Sequence, residues 1–430
     1  MTPQSAFMVV APVRAGQIAA LRDLLRTMTW APGRADPDNA LIPFGRCARL
    51  HFARLVVLED ATLADRAAVG APAFGAPVSL AFLGECDGPA EAQLAEFATL
   101  APEGLREIFR HCETLDDDTD IAVWMRAHAV APATFYVNWV GRTVRQIHEE
   151  AALHRALRAR LLTLPADMPA LAARADLLDY VAAEQQAGRL PLSPPEPTPP
   201  AWQLAQALHA IWVPLLLVVL LPVFVLGAVP FLAILRQRER TDPAIWPRPS
   251  TPHAEALAAI EDFDVSNQFS AFGSLKPGAF RLWLLRFLLW VAQYTTRHVY
   301  VRGRLARVGT IHFARWVLLD ENRRLLFASN YDGSLDSYMD DFINKVAWGL
   351  NLVFSNGIGY PRTDFLVLNG AKNEQAFKYY IRRHQLVTEV WFKAYPGLTA
   401  FDLARNSRLR AGLAPAATDE DAARRWIALI

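Results

Sequence analysis

Apolar runs closed by turn residues occur along this chain in two matching series. Residues 50–60 read Leu-His-Phe-Ala-Arg-Leu-Val-Val-Leu-Glu-Asp, and residues 311–321 read Ile-His-Phe-Ala-Arg-Trp-Val-Leu-Leu-Asp-Glu. Upstream, 7–14 reads as a strand that Ala15-Gly16 turns into a helix; 269–275 and Lys276-Pro277-Gly278 repeat the step. Downstream, strands at 78–83 and 324–328 run into Gly84-Glu85-Cys86-Asp87-Gly88 and Ser329-Asn330-Tyr331-Asp332-Gly333. Short apolar runs bounded by such residues are strand signals. A helix follows each Asp-Gly, from 89 and over 334–354; in the second, Leu335, Tyr338, Met339, Phe342, Val346 and Leu350 share one face. Strands at 134–140 and 388–395 then lead through glycine into basic helices at 141–162 and 397–413. A strand-helix element at 365–384 is extra to the second series.

Strand, helix, strand, strand, helix, strand is the order of a ferredoxin-like unit. The expected fold is therefore α+β: tandem duplicated ferredoxin-like units forming a pseudo-dimeric α+β barrel, with an apolar membrane segment inserted. The expected boundaries are copy one at 1–163, a helical and Pro-rich linker at 164–208, the membrane segment at 209–240, copy two at 262–413 with an interfacial helix at 279–295, and a tail at 414–430.

Residues 210–235 carry no charge and are long enough to span a bilayer core. Trp202 and Trp212 near one end, and Arg236, Arg238 and Arg240 at the other, suit the lipid interface. Pro214, Pro222 and Pro230 each remove a helical hydrogen bond and favour kinks. Two halves that pack on each other must share one side of the membrane, so the segment enters and returns, or bends and lies in one leaflet; the alternatives are a true crossing with the halves apart or a second crossing by the apolar stretch at 282–292. The arginines favour the cytoplasmic face of an inner membrane.

The chain has 430 residues and a formal charge of +1, which gives no support to a nucleic-acid partner. Cys47, Cys86 and Cys112 form no Cys-x-x-Cys pair, which argues against a disulfide framework or structural zinc and for a reducing compartment. The first residues lack the pattern of a secretory signal.

Candidate chemistry lies in the repeated motif. Strand alternation sends His51 and Arg54, and likewise His312 and Arg315, to opposite faces. Each histidine is either a ligand or acid-base group, or a hydrogen-bonded core residue; duplication favours the core role. A buried arginine needs carboxylate or carbonyl partners, and Asp87 and Asp332 are candidates for them. The Asp-Gly pairs read as turns whose aspartate caps the next helix. Asn330, Tyr331, Asp332, Asp336, Tyr338, Asp340, Asp341 and Asn344 crowd one strand end and helix, and this polar enrichment points to copy two as the holder of any site; within it Asp336, Asp340 and Asn344 share one helical face that is either a metal row or, as the favoured reading, a solvated face.

Tandem ferredoxin-like halves resemble the superfamily of dye-decolorising peroxidases and chlorite dismutases. Gly84-Glu85-Cys86-Asp87-Gly88 is similar to the Gly-x-x-Asp-Gly motif of dye-decolorising peroxidases, whose aspartate lies over haem, whereas Ser329 replaces the first glycine in the second copy. The resemblance implies a haem-binding histidine in the second half, with His298, His312 and His384 as candidates. The site expected on this basis has Asp332, Arg315 and Asp87 as catalytic residues and His312 and His51 as cofactor ligands. Two functions stay open. One is a membrane-bound, haem-dependent peroxidase-like enzyme acting on an apolar, lipid-like small molecule. The other is a non-catalytic membrane-anchored accessory or ligand-binding protein. Membrane lipid is a partner in both.

Overall fold

The computed structural model describes residues 1–72, 74–414 and 419–430. Its first strands are β1 (Gln4–Pro12), the short hairpin β2 (Thr29–Ala31) and β3 (Arg34–Ala35), β4 (Leu50–Leu58), β5 (Ser79–Asp87) and β6 (Thr134–Val137). The later ones are β7 (Ser266–Ser274), β8 (Ile311–Leu319), β9 (Arg324–Asp332), β10 (Thr363–Asp364), β11 (Leu368–Asn369) and β12 (Thr388–Lys393). The helices before the apolar segment are α1 (Ile18–Arg26), α2 (Ala90–Leu100), α3 (Pro102–Phe109), α4 (Ile121–Ala127), α5 (Val144–Leu161) and α6 (Ala170–Gln186). The segment itself is α7 (Pro200–Thr241), followed by α8 (Thr251–Ala258), α9 (Ala279–His298), α10 (Leu335–Phe354), α11 (Glu374–His384), α12 (Ala400–Ala411) and α13 (Glu420–Ile427).

Two four-stranded antiparallel sheets, ordered β1-β5-β4-β12 and β7-β9-β8-β6, face each other. Linear order alone assigns each last strand to its own half. Instead β12 pairs with β4 and β6 pairs with β8, so each sheet is completed from the other half of the chain. Met8, Val56 and Leu83 of one sheet meet Phe272, Val317 and Leu326 of the other in an aliphatic interior. Ala53, Leu55 and Val57 point the opposite way, under α1 to α4, as period-two alternation requires. A bulge interrupts that alternation at each signature histidine: β4 slips against β5 between Leu50 and Phe52, and β8 against β9 between Ile311 and Phe313. The extra residue of a bulge is released from the ladder and re-aimed, so His51 and His312 turn towards the strand ends.

A layer of helices lies beyond the sheets. Leu153 and Leu157 of α5, Leu177 and Val181 of α6, Leu409 of α12 and Trp426 of α13 form one core. The expected tail thus contains a docked helix whose Trp426 donates its indole N–H to the Leu409 carbonyl at 3.0 Å. The expected strand near 365 shrinks to the two-residue strands β10 and β11, with α11 behind them.

Among the described residues, α7 is the one helix long and apolar enough to cross a bilayer. It has 42 residues and runs unbroken through Pro214, Pro222 and Pro230. Proline in a helix deprives the carbonyl four residues earlier of its donor. For Pro214 that carbonyl is Ala210's, and the Tyr294 hydroxyl of α9 donates to it at 3.2 Å. α9 lies antiparallel along α7, with ring centroids of Phe231 and Phe280 5.4 Å apart and those of Phe224 and Phe287 5.8 Å apart. At one end His209 meets His298 at 2.7 Å and Arg297 donates to Gln206 at 2.6 Å. At the other, buried Glu239 accepts from Thr363 Oγ1 and from the N–H groups of Phe365 and Leu366. Just beyond, Asp242 binds Lys276 at 2.6 Å and Arg281 at 2.7 Å.

Candidate functional site

Four of the five residues singled out by sequence, His51, Asp87, His312 and Asp332, fall into two matched constellations. In the first, Asp87 Oδ1 accepts from His51 Nε2 at 3.0 Å and from Gln4 Nε2 at 3.0 Å, while Oδ2 accepts the Val144 N–H at 2.8 Å. In the second, Asp332 Oδ1 accepts from His312 Nε2 at 2.7 Å and from Ser266 Oγ at 2.6 Å, while Oδ2 accepts the Ala400 N–H at 2.7 Å. Gln4 and Ser266 open β1 and β7, and Val144 and Ala400 open α5 and α12, so the two sets correspond position by position. A carboxylate accepts, so each Nε2 carries the proton. Burial alone would raise the Asp332 carboxyl, but His312, Ser266 and the Ala400 N–H hold it below its ordinary value. The aspartates do not cap the helices that follow them. Each accepts the first N–H of a remote helix instead, Asp87 that of α5 and Asp332 that of α12, whose own N-caps are Thr143 and Thr399, while α10 is capped by Ser334. Gly88 and Gly333, at φ +82° and +83°, supply the left-handed turn after each aspartate.

The arginines do not pair with these aspartates, because they point into the space between the sheets and cross it. Arg54 donates to the carbonyls of Phe269 at 2.9 Å and Ser329 at 3.0 Å, to Ser270 Oγ at 3.0 Å, and to Asn330 Oδ1. Arg315 makes the reciprocal reach, to the carbonyls of Phe7 and Gly84, both at 2.6 Å, and to Glu85. Each guanidinium therefore ties two strands of the opposite sheet, using donors in a rigid fork. Glu85 and Asn330 occupy matched positions, and Asn330 Nδ2 donates to Glu85 Oε2 at 3.1 Å. Two buried guanidiniums share one carboxylate, and burial depresses the Arg54 pKa to about 10 despite the nearby Glu85.

These groups leave no room for the haem that the resemblance implies. The other His51 nitrogen lies 3.2 Å from the Tyr395 hydroxyl, and the Phe52 ring packs on His312 with centroids 5.6 Å apart. His298 is paired with His209. His384 gives its Nδ1 to the Tyr380 carbonyl at 2.7 Å, and its ring lies where a Cβ on Gly273 would sit. The inter-sheet space is filled by aliphatic side chains and the crossing arginines. Among the described residues no cluster of three His, Cys, Asp or Glu side chains is placed to hold a metal. Asp336, Asp340 and Asn344 are exposed, and Asp340 pairs with Lys378 at 2.9 Å, so that row is a solvated face.

The open volume lies elsewhere, beneath the β2–β3 hairpin. Two adjoining cavities of about 540 and 600 Å³ share Trp30, Gly33, Arg34 and Trp391 in their walls. Trp30 is 67% exposed at the mouth, while Trp391 is buried and fixed by its indole N–H, which donates to Asn330 at 3.1 Å. The smaller cavity adds Lys393, His148 and Arg145. Burial lowers the Lys393 ammonium pKa, though Asp264 and Asp332 partly offset this, and the ammonium donates to Ser266 Oγ at 2.7 Å and the Leu398 carbonyl at 3.0 Å. Arg34 Nε is buried without a partner. Sequence reading passed over this cleft, although the alternation in β12 places Glu389, Trp391 and Lys393 on one face and was the available signal. Compared with protein-family models, with curated proteins and with solved structures, the chain gives no match.

Proposed function

We propose that this chain is a monotopic membrane protein, built from two duplicated ferredoxin-like halves, that binds an apolar small molecule in the cleft beneath β2–β3. On this reading the repeated His, Asp and Arg residues hold the body together and carry no reaction. Their position-by-position correspondence and their mutual hydrogen bonds support a structural role, because a single cofactor needs one ligand set. The cleft suits an apolar ligand with an acidic end: Trp30 and Trp391 offer ring surface, and Arg34, Arg145 and Lys393 outnumber the one carboxylate in the wall of the smaller cavity, Asp264, although Arg145 also pairs with Glu196 at 3.0 Å.

One observation carries the membrane reading: both ends of α7 are fastened to the same body, and α9 lies between them. Leu285 and Leu289 of α9 belong to the core of the second sheet. A vertical α7 would pull α9, its arginines and that sheet into hydrocarbon, where each central arginine costs about 2.5–3.5 kcal/mol or more. A helix lying flat avoids this. It is roughly 10–12 Å across, and one leaflet holds about 15 Å of hydrocarbon. The outer side of α7 is apolar and open, with Leu226 at 82% and Val229 at 77% exposure. Burying each such side chain is worth about 1.5–3 kcal/mol. The arginines Arg236, Arg238 and Arg240 at the end of the helix suit the cytoplasmic surface.

Tags on the two termini, probed with protease in sealed vesicles, test this arrangement. Cleavage of both tags from the same side is expected. Cleavage from opposite sides contradicts a flat α7.

A further inference from the structure

We propose that the cavity just past the C-terminal end of α9 is a headgroup site for an anionic phospholipid, a step that rests on α7 lying in the bilayer. The chain leaves α9 through residues 299–310, which bear Arg302, Arg304 and Arg307 and no acidic residue. Among the described residues, none of these three guanidiniums makes a hydrogen bond to a side chain or an ion pair. A cavity of about 570 Å³ is lined by Arg304 and Arg307, with Lys345, Trp348, Tyr300 and Val299 also in its wall. No carboxylate lines it; Asp341 holds Lys345 from outside at 2.6 Å.

The surroundings select a lipid over a soluble anion. Val299 follows directly on α9 and is 59% exposed, and Trp348 is 48% exposed. An exposed apolar residue and an amphipathic ring beside unpaired cations form the pattern found at the headgroup level of a bilayer. The cavity lies next to the end of α9 where His298 meets His209, so it adjoins the start of the uncharged stretch of α7. Arg238 and Arg240 stand at the far end of that stretch. The flat helix pair thus has basic groups at both ends in a chain whose total charge is only +1. Guanidinium groups bind phosphate through paired donors, and juxtamembrane arginines gain from a negative lipid surface.

Flotation of the full chain with phosphatidylcholine vesicles, with and without phosphatidylglycerol, tests the site. The expected result is tighter binding to the phosphatidylglycerol vesicles, weakened by roughly twenty- to thirtyfold in an Arg304→Ala, Arg307→Ala double variant, at about fivefold per arginine. Removing equal charge over the other sheet, by Arg46→Ala with Arg110→Ala, should leave binding unchanged. Inorganic phosphate at millimolar levels should not compete. Equal binding to neutral and anionic vesicles overturns the headgroup site while leaving membrane docking intact. An equal loss in the control variant overturns it in favour of diffuse net charge, and competition by phosphate overturns it in favour of a soluble anion. Failure to float with either vesicle overturns the membrane reading and this site with it.

Discussion

The two exchanged strands are flanked in different ways. Beside β12 lie the nine-residue α1 and the β2–β3 hairpin, which leave an open cleft. Beside β6 lies the 20-residue α9, whose backbone accepts from Thr134 at 2.7 Å and whose Gln293 accepts the Phe135 N–H at 2.8 Å. Along β6 that flank is closed, its cavity lying only past the end of α9, and it carries α7 on its outer side. The sheet interiors differ far less: His-Asp pairs and crossing arginines correspond position by position, with Gln4 against Ser266 and Glu85 against Asn330 as the partners that differ. Where the halves agree, the residues satisfy one another and build the body. Where they differ, the molecule opens a cavity on one flank and presents an apolar helix on the other.

The largest effect should come from Glu85 against Asn330, the matched pair that differs in charge. Arg315→Met leaves Glu85 buried without its guanidinium and should cost about 3–5 kcal/mol in urea denaturation. Arg54→Met also removes hydrogen bonds but sheds the surplus positive charge, so it should cost less, about 1–3 kcal/mol. Equal losses would show that Glu85 serves both arginines alike and would erase this difference.

A pH effect should follow from His384, which has no partner in the other half. Its pKa is held at about 4 by burial, against an ordinary 6.5. As pH falls the unfolded chain takes up the proton first, so the full stability is present above about pH 6.5 and declines towards pH 4. The loss should be on the order of 3 kcal/mol, and His384→Gln should flatten that part of the profile of stability against pH.

His51→Ala and His312→Ala should each cost about 1–3 kcal/mol by removing one of the three donors to a buried carboxylate, and the two values should be close. A variant that keeps its stability but loses an activity would restore a catalytic role to that histidine. The smallest effect on folding belongs to Trp30→Ala, less than about 0.5 kcal/mol, since the ring is exposed. Its consequence should appear instead as weaker binding of an acidic aromatic probe, read by fluorescence.

Much of the fold was legible in local pattern. The period-two runs at 50–58 and 311–319 and the amphipathic stripe from Leu335 to Leu350 became the strands and helix expected of them. Partner choice was not legible, because an edge strand carries the same alternation whichever sheet receives it; the crossing of β6 and β12 is a long-range fact. The histidines escaped simple alternation through a bulge, a feature of pairing that no single strand encodes. The aspartates were read as caps of the nearest helix and are not; each binds the first N–H of a remote helix, since the distance in sequence between Asp87 and Val144 hides their adjacency in space. The cleft was missed because Trp30, Arg34 and Trp391 come from opposite ends of the chain.

The central claim is that α7 lies flat, and the depth of labels along it tests that most directly. Fluorophores at Ile211, Val219 and Val229, quenched by lipids brominated at known depths, should all report similar positions within one leaflet. A steady change in depth from Ile211 through the bilayer midplane to Val229 would mean that the helix crosses, and would contradict the account.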